Sequence, residues 1–121
     1  MLTQDQITRL LDIGVSACHS GAVYEARKIF DGLLKQRPGS APALTGKALS
    51  HIVVDDFQEA EEILQQQILA KDPDDAEAKA MLGLCFLLSN RLDEARSILG
   101  TITGQGNASG QLARDILAGL G

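Results

Sequence analysis

Aromatic side chains are nearly missing from this chain, which has no tryptophan, one tyrosine and three phenylalanines in 121 residues. A core with so few rings has to be filled by Leu, Ile, Val and Ala, and such side chains suit helices that approach closely. Cysteine is also scarce. Cys18 and Cys85 are far apart, in apolar stretches, with no CxxC pair and no histidine pair near them. Neither a disulfide framework nor a zinc site is indicated, and both read as buried thiols. No apolar run approaches the roughly 18 residues that cross a bilayer. The opening MLTQDQITRLLDIG has no basic stretch followed by an apolar core, so no signal peptide is visible. A cytoplasmic protein that does not insert into membranes is expected.

Positive charge is short too. Eleven Lys and Arg face sixteen Asp and Glu, for a net charge of −5. The basic residues are scattered, whereas phosphate binding needs them clustered, so nucleic acid is excluded as a partner. Acidic residues do gather, at Asp55, Asp56, Glu59, Glu61 and Glu62 and again at Asp72, Asp74, Asp75 and Glu77. They read as solvated helix faces, with a contact for a basic partner as the alternative. Charged residues at 22% and hydrophobic residues at 45% describe a chain able to fold as a single domain over residues 1–121.

What the chain does have is an internal period. Gly14, Ala48 and Gly83 are spaced 34 and 35 residues apart, as are Ala26, Ala60 and Ala95, and Phe30, Leu64 and Leu99. Pro38 and Pro73 are 35 residues apart. Landmarks sharing one period of this length indicate a helical array. The apolar spacing predicts six helices in three pairs, followed by a seventh. Thr3 and Gln6 form a capping box for the first helix, which runs to about His19. Gly21 makes the first turn, Asp55 and Asp56 the second, Ser89 and Asn90 the third. Ser40 with Pro42 starts the third helix, Asp74 or Asp75 the fifth, and Asn107 or Ser109 the last. The fourth helix should bury Phe57, Ala60, Ile63, Leu64 and Ile68. The sixth should run from Leu92 to about Ile102, and residues 103–106 read as a flexible connection.

Small residues at Gly14, Ala48, Gly83, Ala26, Ala60 and Ala95 let paired helices approach, and Phe30, Leu64 and Leu99 fill the space that remains. A pair cannot bury its apolar face alone, so the array is needed for stability.

On these residues the chain resembles the tetratricopeptide repeat family, whose pattern sets a small residue in the first helix against a small-then-bulky pair in the second, closed by Pro. Gly14, Ala26, Phe30 and Pro38 match it in the first unit, Ala48, Ala60, Leu64 and Pro73 in the second, and Gly83, Ala95 and Leu99 in the third. The second unit has one extra residue before its Pro, the third has no closing Pro, and none has the aromatic often found early in the first helix. The first unit fits best. The resemblance implies an all-α fold, a right-handed α-solenoid of three stacked helix-turn-helix units near residues 7–40, 41–75 and 76–107, with a C-terminal capping helix near residues 108–118.

The resemblance also implies a concave groove lined by the first helix of each pair. Its residues would be Leu11, Val15, Cys18 and His19 from the first unit, Thr45, Leu49, Ile52 and Val53 from the second, and Ala80, Leu84, Leu87 and Leu88 from the third. Family members that clamp acidic chaperone tails place Lys, Arg and Asn here, because carboxylates need charged donors. This chain has none at those places. An apolar groove suits an amphipathic helix or an apolar segment of a protein partner. The alternative is a structural or self-assembling module whose groove is filled by its own chain or, in a homodimer, by a second copy. Small, acidic and three repeats long, the chain is similar to the bacterial type III secretion chaperones, which hold translocator or needle subunits before export.

Catalysis is not indicated. His19 and His51 are the only histidines, no nucleophile motif or phosphate-binding loop is present, and no cofactor is implied. Cys18 and His19 are neighbours in sequence, but adjacent helical residues point about 100° apart.

Overall fold

A computed structural model describes residues 1–120. Among them lie seven α-helices and one π-helical stretch: α1 (Gln4–His19), α2 (Val23–Gln36), α3 (Ala41–Ile52), α4 (Phe57–Glu62), the π stretch (Ile63–Leu69), α5 (Ala76–Leu88), α6 (Leu92–Gly100) and α7 (Ala108–Leu120). Contacts divide the chain into two compact units, Met1–Ile63 and the residues from Leu64 onward.

Local chemistry sets the helix ends. Thr3 accepts the Gln6 amide while the Gln6 side chain returns a bond to the Thr3 amide, the reciprocal box that satisfies two orphan donors. Ser40 accepts from Ala43 and Asp75 from Ala78, and Asn107, rather than Ser109, accepts from Gly110 at 2.9 Å. The three turns inside the helix pairs repeat one geometry. Gly21, Asp55 and Asn90 all have left-handed backbone, with φ of 85°, 62° and 63°. The amide after each bonds back five residues, Ala22 to Ala17, Asp56 to His51 and Arg91 to Phe86. This is the six-to-one closure that ends a helix, and Gly, Asp and Asn are the residues that enter it with least strain.

In the first unit α2 packs on α1, α3 packs on both, and α4 packs on α3. The Phe30 ring of α2 sits between two glycines. A Cβ on Gly14 would stand 2.7 Å from the ring, and one on Gly46 would collide with it as well. Gly46 is the surprise, since the repeat period picks out Ala48 as the small residue of α3. In the second unit α6 packs on α5, α7 packs on both, and Gly83 makes room for Leu99.

Expected helix four is not one regular helix. After Glu62 it widens into the π stretch, with the Ala70 amide bonded to the Gln65 carbonyl five residues back. The cause is the extra residue: Leu64 precedes Pro73 by nine positions where Phe30 precedes Pro38 by eight. A π turn holds one more residue than an α turn and absorbs the insertion without turning the next residues to the wrong face. Ala60, Ile63, Leu64 and Ile68 are buried as expected, Phe57 only partly, and Gln65, Gln66 and Gln67 carry the widened turn on the surface. Deleting Gln66 should therefore restore α geometry and cost about 1 kcal/mol at most. Deleting Lys28 from the middle of α2 should unfold the chain. Urea unfolding of the two proteins checks this.

Two further ends differ from expectation. Helix α6 stops at Gly100, and residues 103–106 are tied down rather than loose. Arg114 donates to the Thr103 and Gln105 carbonyls at 2.6 and 2.9 Å. Gly110 is required there, because a Cβ would strike the Gln105 carbonyl.

Candidate functional site

The residues expected to line a groove fall into three groups. Cys18, Thr45, Leu49, Ile52 and Ala80 are buried, Leu49 with 6% of its surface exposed. Their side chains are part of the chain's interior. Leu11, Val15, Leu84 and Leu87 are half-buried. His19, Val53 and Leu88 are exposed, Leu88 at 53%.

In the first unit, Leu11 packs against the small core of Ile7, Leu33 and Ala43, and Val15 follows it one turn later on α1. Val53 and its neighbour Val54 are exposed where α3 ends. Burial pushes the Cys18 thiol up, with Arg27 pulling it partway back. The sulfur therefore stays protonated, the opposite of what a nucleophile requires.

His51 is part of a polar cluster that holds helices together. Arg27 Nε donates to Ser50 Oγ at 3.0 Å and its Nη2 to the Ser50 carbonyl at 3.3 Å. The same Nη2 lies 3.1 Å from His51 Nδ1, which also meets Asp56 Oδ2 at 3.1 Å. Ser50 is fully buried and its hydroxyl donates to the Lys47 carbonyl. The set joins α2 to α3 and to the turn before α4. Arg27 carried no signal in the sequence, because its partners lie 23 and 24 residues away.

In the second unit, α5 differs from its neighbours. Its sequence AEAKAMLGLCFLL is apolar on every side after its first turn, whereas α1, α2, α6 and α7 each have one apolar stripe. A helix apolar all round is normally buried all round. Here Leu82, Gly83, Cys85 and Phe86 are buried, while Leu84, Leu87 and Leu88 remain partly or largely exposed.

The start of α5 and the start of α7 also flank an open surface cleft of about 480 Å³. Glu77, Ala80 and Met81 of α5 form one wall, and Asn107, Ser109 and Leu112 the other. Glu77 still reaches solvent, but partial burial, and then the nearby Asp75 charge, hold its carboxyl above the ordinary range. Its contribution to folding is thus present at low pH and lost as pH rises through that raised range. Of this cleft the expected site contained only Ala80. Residues 107–112 could not be placed against α5 by counting along the chain.

Among the described residues no three His, Cys, Asp or Glu side chains are grouped closely enough to hold a metal ion. No described helix is long and apolar enough to cross a membrane.

Comparison with known proteins adds three findings. A family model described as tetratricopeptide repeat matches residues 54–120, more than half of the chain. The residue pattern is fullest in the first repeat, at Gly14, Ala26, Phe30 and Pro38, yet the model matches residues 54–120. No curated protein sequence matches. Among solved structures, the Yersinia enterocolitica type III secretion translocator chaperone SycD is similar, with a TM-score of 0.74 at 16% identity over 99% of this chain and 84% of that one. An alternative dimer of SycD gives 0.65 at 18% identity over 96% and 79%. PcrH in complex with the chaperone binding region of PopB gives 0.73 at 21% identity over 97% and 96%.

Proposed function

The chain belongs to the tetratricopeptide repeat family, and from that premise we propose that it is a chaperone that holds an amphipathic helix or apolar segment of another protein. The observation that carries this reading is the uncovered side of α5. Leu84, Leu87 and Leu88 lie on a helix apolar all round and still face solvent in part, and exposed apolar clusters on one face mark interaction sites. An apolar segment laid on such a face buries its own side chains and those beneath them together. On the first unit, taken by itself, Val15 reaches solvent in part and Val53 is exposed. Repeats near residues 7–40, 41–75 and 76–107, with a capping helix near 108–118, are the frame for this binding.

The solved structures similar in fold support a finer version. SycD is a type III secretion translocator chaperone, and PcrH was solved with the chaperone binding region of PopB. By analogy the cargo here is a translocator or needle subunit, held in the cytoplasm before export. A second copy of the chain is the competing occupant, and SycD has been solved as a dimer.

Affinity capture from the native organism, with stoichiometry, separates these. One small helical subunit recovered in equal amount supports the chaperone reading. A discrete oligomer of the chain alone, stable on dilution, overturns it in favour of self-assembly.

A further inference from the structure

The cleft between α5 and the start of α7 has a polarity that the apolar reading of the α5 surface leaves unexplained. Ala80, Met81 and Leu112 supply apolar wall, and at its edge stands one carboxylate, Glu77. No cation is paired with that carboxylate among the described residues. The nearest basic side chain on the same helix, Lys79, is drawn to Asp74 at 4.0 Å. Asp75 is occupied as the N-cap of α5, accepting the Ala78 amide at 2.9 Å. The other wall, residues 107–112, contains no titratable group, and the Asn107 side chain is already bonded to the Gly110 amide. The first turn of α5 favours the Glu77 charge, but an apolar cleft with one partly desolvated carboxylate that no cation pairs still fits a side chain with an apolar stem and a positive end.

We propose that this cleft receives a lysine or arginine side chain of the bound protein segment, its methylenes along Ala80, Met81 and Leu112 and its charge on Glu77. This rests on the reading that the uncovered side of α5 binds a protein segment, and adds that the segment is apolar with a basic residue at this place. The chain's net charge of −5 and the acidic edge formed by Asp72, Asp74, Asp75 and Glu77 favour the same choice. Glu77 is the discriminating group because it alone among them lines the cleft.

Hexylammonium tests this without any protein partner, with hexanol and hexanoate of equal chain length as controls. Each is titrated into the 15N-labelled full chain at neutral pH and followed by amide shifts. Hexylammonium should move the amides of Ala80, Met81 and Leu112 and bind about threefold more tightly than hexanol, the size of an exposed ion pair. Glu77→Gln should level the two, and raised salt should do the same. The preference should also fade on acidification, beginning above the ordinary glutamate range because the Glu77 carboxyl is held up. Equal binding of hexanol and hexylammonium, preference for hexanoate, shifts elsewhere, or no binding overturns the proposal. Such a failure removes the basic anchor alone, since the docking of an apolar segment is tested separately by capture and by charge on α5.

Discussion

Phe30→Ala is expected to remove about 3–5 kcal/mol of stability, the cost of deleting a buried ring and leaving its space behind. That is a large part of what a domain of this size has. The ring is fully buried, and its slot is lined by Gly14 of α1 and Gly46 of α3. Backbone cannot move in to fill the gap as a flexible side chain would, so little of the loss should be recovered by relaxation. The same geometry makes the partner substitution informative. Gly46→Ala drives a methyl group into the ring and should cost about 1–3 kcal/mol as overpacking. In the Phe30→Ala background that methyl has room, and alanine's better helix propensity, worth about 1 kcal/mol, should make the substitution neutral or stabilising. Urea unfolding of the four proteins gives the coupling directly. Additive losses would show that the ring is not held between the two helices in solution.

Leu84→Glu and Leu88→Glu should each weaken capture of the partner by about 100-fold or more, through lost apolar contact and the cost of desolvating a carboxylate against an apolar segment. Both positions reach solvent, Leu88 at 53%, so a charge there can stay hydrated in the unbound protein. Circular dichroism and thermal unfolding should be close to those of the parent. Leu49→Glu, at an expected groove position of the second repeat, should behave differently. Only 6% of Leu49 is exposed, and a buried unpaired charge unfolds the chain. Loss of binding in that variant would say nothing about docking. Full partner binding by folded Leu84→Glu and Leu88→Glu would remove α5 from the contact surface.

Helix number, caps and turns were legible because each depends on a few neighbouring residues. Thr3 with Gln6, Ser40 with Pro42, and the left-handed Gly21, Asp55 and Asn90 act within one turn of chain, and the three turn residues recur at the period of 34 and 35 residues. The family could be read from the same pattern. Even the π stretch had its cause in view, as one residue too many before Pro73, although a count does not reveal where a helix will widen.

What needed the tertiary structure was the difference between facing inward and being closed over. Cys18, Thr45, Leu49, Ile52 and Ala80 share a register position with residues that remain open, and nothing local distinguishes Leu49 from Leu84. Burial depends on what other segments bring to the spot. The same holds for Gly46, small because a ring from α2 arrives there, for Arg27, whose partners are on α3, and for Glu77, whose cleft exists because α7 begins beside α5. Periodicity assigns a residue to a face of its own helix, and only packing decides what stands opposite that face.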